Sequence, residues 1–438
     1  MSDRSDPLLN WDIQEEHLDE AAFFWGQWER SLSAPDEVLP DVAVGEERLL
    51  ARLDALVLGG PRVAERLLMP ALASDEPERL SSAAFTLLFD ASSRRGSDAV
   101  LSALRDAAPD ACAAILRALE VLPTASLPAW VESLLAQPEP SLQALALDVL
   151  GAHSLSPGLE LTGFLSEEDP RLSAAALRAS VRLRARLDRK VLQRFWSSSE
   201  SSVRDAAILA GLIQGQREAW MSCRQVVEAR GPDLELPLLL LALGGDAGEL
   251  APLRGLLDVT ALRPHVLWAL GFSGRVSAAE ACLAYLGDEA VGHLAAEAFC
   301  SITGLELSGR FLAGDPFLED EEPGSEAPLG SHPMPGPGLP LLDARLVRDW
   351  WVESRTRFNP ETRYLRGRPW SPAVLLQGLW TEPMRRRHGL ALEVALRSQG
   401  TFQARTRRFA RHQLAVLETL RTTPPSLSSG PFVRGLAS

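Results

Sequence analysis

One helical phrase returns along this chain at intervals of about 30 residues, and that period constrains the fold more than anything else in it. It reads Leu80-x-x-Ala83-Ala84-Phe85-x-Leu87, then Leu142-x-x-Leu145-Ala146-Leu147-x-Val149. It comes back as Leu172-x-x-Ala175-Ala176-Leu177-x-Ala179, as Val203-x-x-Ala206-Ala207-Ile208-x-Ala210, and late in the chain as Val291-x-x-Leu294-Ala295-Ala296-x-Ala298. A unit this short cannot bury its apolar face alone, so neighbours must stack. The expectation is an all-α chain whose paired helices pile side by side into an elongated arch.

Within each unit an Ala-rich helix is followed by a turn and a bulkier helix, for example Leu127 to Leu135, Val191 to Trp196 and Leu250 to Leu257. Ala146, Ala176, Ala207 and Ala295 recur at one place in the phrase, where a small side chain lets helices approach closely. Leu142, Leu172, Val203 and Val291, four places earlier, should fill the space between units. Asp169-Pro170 reads as an N-cap followed by a first-turn proline. Asp75-Glu76-Pro77-Glu78 reads as a capping box. Gly151, Gly211 and Gly271 stand where left-handed helix ends are expected.

Four regions follow. Residues 1–45 form an N-terminal capping region, with a Trp-rich helix over about 8–33 that carries Trp11, Trp25 and Trp28. Residues 46–310 hold the repeats. Residues 311–340 are acidic and then rich in Pro and Gly, the composition of a linker. Residues 341–438 lose the period but stay helical in pattern, and are expected as a separate basic domain.

Charge is divided unevenly. The chain carries a formal net charge of −14, yet from residue 341 onward 17 Arg face 7 acids. The basic part either docks on the acidic repeats or meets an acidic partner. Lys190 is the only lysine, so almost every cation is a planar fork suited to bidentate contacts. Nucleic-acid binding is not expected of so acidic a chain. The start MSDRSDPLLNWD lacks a basic region and an apolar stretch, and no apolar run approaches the ~20 residues of a membrane span. A cytoplasmic protein is expected. Cys112, Cys223, Cys282 and Cys300 lie far apart and read as buried thiols.

No catalytic, cofactor or metal motif emerges. Glu16, His17 and Glu20 share a helix face but fall short of a metal site. The residues singled out for a partner are Trp350, Trp351, Arg363, Tyr364, Arg366, Arg368, Arg385, Arg386 and Arg387. Adjacent tryptophans on a helix point about 100° apart, so one is packed and the other packed or offered to a partner. Arg385 to Arg387, with His388, Arg405, Arg407, Arg408 and Arg411, form either a basic surface for acidic protein or phosphate, or an internal contact.

The phrases Asp169-Pro170-Arg171-Leu172 and Ser202-Val203-Arg204-Asp205-Ala206-Ala207 resemble HEAT-type repeats over residues 46 to 305. That resemblance implies a HEAT-like α-solenoid with a separate C-terminal helical domain. His17-x-x-x-Ala21-x-Phe23-Phe24-Trp25, Glu47-Arg48-Leu49, Leu53-Asp54-Ala55-Leu56, Gly59-Gly60, Trp350-Trp351 and Tyr364-Leu365-x-Gly367 are similar to an uncharacterised proteobacterial HEAT-like family. Its members often lie near type VI secretion genes. Arg52-Leu53-Asp54-Ala55 departs from that family, which more often has His and Gly around Leu-Asp. The uninterrupted repeat and the lack of a catalytic constellation lead to the expectation of a non-catalytic scaffold or adaptor for a protein partner, and the resemblance implies a secretion component or its cargo as that partner. The alternative is an enzyme or enzyme subunit with an anion-binding pocket between solenoid and C-terminal domain, using Arg363, Arg366 and Arg368.

Overall fold

Several helices of this chain start at a side chain that accepts from their first free amides: Asp169, Asp188, Asp246, Asp343 and Ser371 each cap one. In the computed structural model, residues 9–89, 94–165, 168–306, 308–312, 339, 342–430 and 432–436 are described. They form an all-α protein. The only sheet among them is a hairpin of two short antiparallel strands, β1 (Tyr364–Leu365) and β2 (Arg368–Pro369).

The chain divides into two compact units: Met1–Ala185 with Arg405–Glu418, and Arg186–Ala404 with Thr419–Ser438. The stretch expected to stand apart from residue 341 is therefore shared between them. The expected linker falls outside the described residues apart from Phe311, Leu312 and Leu339.

In the first unit, α1 (Trp11–Ser31) packs on α2 (Leu39–Leu58) and α3 (Pro77–Phe89). Then α3 packs on α4 (Pro109–Val121), α4 on α5 (Pro140–His153), and α5 on α6 (Pro170–Leu183). Trp25 and Trp28 of α1 are buried, with Trp25 6.0 Å from the Phe85 ring of α3, while Trp11 is half-buried. The second unit contains α7 (Ser201–Ile213), α8 (Glu235–Gly244), α9 (Arg263–Ser273) and α10 (Gly292–Thr303). Here α8 packs on α9, and α9 on α10. It also holds α11 (Ala344–Ser354), the hairpin, α12 (Pro372–Thr381) and α13 (Met384–Arg397). The last helix is α14 (Ala410–Thr422).

The repeated phrase falls on α3, α5, α6, α7 and α10. Its alanines Ala146, Ala176, Ala207 and Ala295 are each 0% exposed. Asp169 caps α6 as expected: its carboxylate accepts from Leu172 N–H at 2.9 Å, and Pro170 opens the helix. At the start of α3 the Ser74 hydroxyl, instead of Asp75, accepts from Glu76 N–H at 3.1 Å.

Gly151, Gly211 and Gly271 are not left-handed ends. They sit inside α5, α7 and α9 at close crossings; a Cβ on Gly271 would lie 3.0 Å from the Ala298 backbone of α10. The left-handed positions come later, at Ser154, Arg184, Gly215, Gly274 and Gly304. Of the bulkier second helices, Arg189–Phe195 and Ala247–Gly255 are about as long as expected, while only Trp130–Ser133 of the expected Leu127 to Leu135 is α-helical. Pro252 lies inside Ala247–Gly255, and a 3-10 turn follows at Leu256–Asp258.

Candidate functional site

Every helix ends with carbonyls that have no partner within the helix, and those ends carry partial negative charge. In both units, arginines from the C-terminal quarter of the chain supply the missing donors. In the second unit Arg363 donates from Nε to Ser273 O at 2.9 Å and from a terminal nitrogen to Phe272 O at 3.0 Å. Arg386 donates to Gly271 O at 3.1 Å. These three carbonyls close α9. Arg397 reaches Leu243 O of α8 at 3.4 Å.

The hairpin backbone completes the cover. Tyr364 N–H donates to Gly274 O at 2.7 Å, Arg366 N–H to Ser301 O at 2.8 Å, and Gly367 N–H to Ile302 O at 2.9 Å. Close approach of this kind requires glycine at two helix ends. A Cβ on Gly274 would sit 2.4 Å from Tyr364 O, and one on Gly304 would sit 2.5 Å from Arg366 O; both residues have positive φ.

In the first unit Arg405 donates to Ala152 O and Ser154 Oγ at the end of α5, and Arg408 to Leu122 O after α4 at 2.6 Å. Arg117 donates to Arg407 O at 2.6 Å and pairs with Glu29. Glu46 does the reverse for α14. Its buried carboxylate accepts from the backbone N–H groups of Ala410 and Arg411 and from Trp28 Nε1. Burial pushes the Glu46 carboxyl up against these donors.

The arginine run, read as either a basic surface or an internal contact, is internal to its unit: Arg385, Arg386 and Arg387 are 4%, 2% and 1% exposed. Arg385 lies 3.1 Å from Glu297 Oε1 and over the Trp268 ring, and Arg387 donates to Leu379 O at 2.6 Å. Burial pulls the Arg387 guanidinium down to about 10. Glu393 joins Arg363 and Arg397, each at 2.7 Å. Burial pushes the Glu393 carboxyl up, but the two arginines together hold it below its ordinary range. Burial lifts the Glu297 carboxyl, and Arg385 and Arg386 oppose that only in part.

The other predicted residues separate into packed and open. Trp351 is buried against Phe299 and Phe358, with ring centroids 5.4 and 5.3 Å away. Tyr364 is buried, and its hydroxyl accepts from Asn359 N–H at 2.8 Å. Trp350, Arg366 and Arg368 instead line an open cleft in the second unit, of about 550 Å³, with Arg357, Phe358 and Glu306. Arg357 lies 5.5 Å from the Trp350 ring centroid. Arg366 pairs with the buried Glu382 at 3.0 Å and is 36% exposed on its side chain. Arg368 donates to Gln377 Oε1 at 2.8 Å. Neither Arg357 nor Arg368 has a carboxylate within ion-pair distance among the described residues.

No group of three or more His, Cys, Asp or Glu side chains able to hold a metal ion occurs among the described residues. Glu20 pairs with Arg52 at 2.7 Å. Cys223, Cys282 and Cys300 are buried, and burial pushes the Cys282 thiol up to about 12. No described helix is long and apolar enough to cross a membrane.

Sequence reasoning missed Glu46, Glu297, Glu382 and Glu393, because a lone acid among charged neighbours reads as solvated. It also missed Arg357, although Trp350 seven residues earlier was singled out.

No protein-family model matches the chain, and no curated protein matches it significantly. Twenty solved chains are similar in structure. An engineered protein is 19% identical over 53% of this chain and 93% of its own, with a TM-score of 0.20. Human deoxyhypusine hydroxylase in complex with glycerol is 16% identical over 66% of this chain and 98% of its own, with a TM-score of 0.22. At such scores neither likeness bears on what this chain does.

Proposed function

We propose that the chain is a non-catalytic, HEAT-like scaffold or adaptor that holds a protein partner. The observation that carries this reading is the packing of phrase-bearing helices on their neighbours, α5 on α6 and α9 on α10, through fully buried alanines. Repeat proteins built this way use extended side-chain surfaces for protein binding. The use of Arg363, Arg386, Arg397, Arg405 and Arg408 on helix ends supports a structural role for that segment, while the Trp350 cleft is left open to a ligand. The family resemblance suggests a secretion component or cargo, in the cytoplasm, as the partner.

The test is capture with reconstitution. A tagged full chain is crosslinked in its host cytosol, the captured protein is purified separately, and binding is measured by calorimetry. Saturable one-to-one binding to that protein is expected. Turnover of a metabolite by the purified chain, with no reconstituted protein partner, would sink the reading in favour of an enzyme with an anion pocket.

A further inference from the structure

We infer that the cleft beside Trp350 is a docking site for an acidic peptide segment of a partner protein, one that carries an apolar or aromatic side chain next to its carboxylates. The inference rests on the scaffold reading and supplies the chemistry of its contact.

Three features point to this ligand. The first is unspent positive charge. Most arginines of this region are committed to carbonyls or buried acids. Arg357 and Arg368 are exposed, and neither has an acidic partner among the described residues. Arg366 adds a guanidinium already oriented by Glu382. Planar forks of this type take carboxylates in pairs.

The second is the aromatic wall. Trp350 and Phe358 line the same cleft, and Trp350 is held edge-on by Phe299 at 6.0 Å. Rigid aromatic faces of this kind anchor an apolar side chain at interfaces. The rigidity has a source: the neighbouring hairpin is tied to the ends of α9 and α10 by the amides of Tyr364, Arg366 and Gly367.

The third is selection among anions. About 550 Å³ exceeds what a single inorganic anion fills and suits a few residues of peptide. Glu306 also lines the cleft. A carboxylate there repels a dianionic phosphate more strongly than singly charged side chains spaced along a chain. The Glu306 carboxylate also gives direction, since it favours an amide or apolar part of the ligand on its side.

The experiment uses the full chain and an acidic hexapeptide that matches no segment of it, Gly-Glu-Trp-Glu-Asp-Asp-amide labelled with fluorescein on its N-terminal amine, followed by anisotropy. Saturable binding that weakens as salt rises is expected. Arg357→Glu with Arg368→Glu should weaken it at least ~30-fold, about 2 kcal/mol at 1.4 kcal/mol per decade. Both side chains are exposed and cap no helix, so the thermal melt of the double variant should match that of the parent. Trp350→Ala should weaken binding with little change in the salt slope.

The inference is overturned if the Gln/Asn version of the peptide binds equally well, or if the double variant binds like the parent. It is also overturned if inorganic phosphate displaces the peptide at concentrations where acetate does not, which would make the cleft a phosphate site. Absence of saturable binding overturns it too. A partner that binds parent and double variant alike leaves the scaffold reading standing and removes only this site.

Discussion

The backbone N–H of Arg366 donates to the carbonyl of Ser301 at 2.8 Å, so a β-turn forms the cap of a helix more than sixty residues before it. Arg366 has a φ of 50° and Gly367 one of 71°, which lets two successive amides face the end of α10. The same turn places the Arg366 side chain at the cleft. Cap and candidate binding surface are thus one element.

Gly304→Ala should therefore be costly. The position has a φ of 76°, and the added carbon would meet Arg366 O at 2.5 Å. A loss of about 2–3 kcal/mol is expected from strain and the displaced turn. Urea denaturation measures it, and a loss below about 0.5 kcal/mol would contradict the close packing.

Arg363→Ala removes donors to two α9 carbonyls and one of the two arginines that pair Glu393. Leaving a buried carboxylate with half its partners costs about 3–5 kcal/mol. Arg363→Ala with Glu393→Gln should recover part of that loss. Denaturation of both variants checks the coupling.

Glu46→Ala should loosen the start of α14 selectively. Two N-terminal amides and the Trp28 indole lose their acceptor together. Amide exchange at Ala410 and Arg411 should speed up while exchange in α9 and α10 stays unchanged. Peptide-resolved hydrogen exchange reads both.

Acid should act on α5 and α7 in opposite directions. His153 of the first unit accepts from the Thr124 hydroxyl at Nδ1 and donates from Nε2 to Leu119 O, at 3.1 and 2.8 Å. Burial, helped by Arg408 and Arg405, holds its pKa at about 4 against an ordinary 6.5. The folded state then binds fewer protons, so stability is full above pH 6.5 and is lost as pH falls toward 4. The loss is about 3 kcal/mol and should vanish in His153→Gln.

Asp205 of the second unit has the other sign. Burial, opposed by Arg204, raises its pKa from 3.8 to about 6. The folded state holds the proton that the unfolded chain releases, so stability falls as pH rises through this window. The effect is about 2–3 kcal/mol and should be absent in Asp205→Asn. Hydrogen exchange at pH 4.5 and 7, corrected for intrinsic rate, should show α5 losing protection in acid while α7 gains it.

The helical content was legible because its signal is local. The phrase with Ala146, Ala176, Ala207 and Ala295 marks buried helix faces, and Asp169-Pro170 marks a helix start. What was not legible depends on distant pairing. Arg385, Arg386 and Arg387 look like a surface patch in one dimension, since nothing nearby announces Glu297 or the carbonyls of Gly271 and Leu379. Gly151 and Gly271 read as helix ends from residue type alone; only the crossings with α6 and α10 show why they are small. Trp350 and Trp351 read as packed or offered to a partner, and how each packs depends on Phe299 and Phe358, which lie far off in sequence or carry no signal of the contact.

The bond between Glu46 and the amide of Ala410 spans 364 positions of chain. During synthesis, at roughly 5–20 residues per second, the first unit must wait tens of seconds for Arg405–Glu418 to emerge from the ribosome. Until then the ends of α4 and α5 face water bare, and the nascent protein is a half-closed intermediate that truncation near its terminus would leave permanently unfinished.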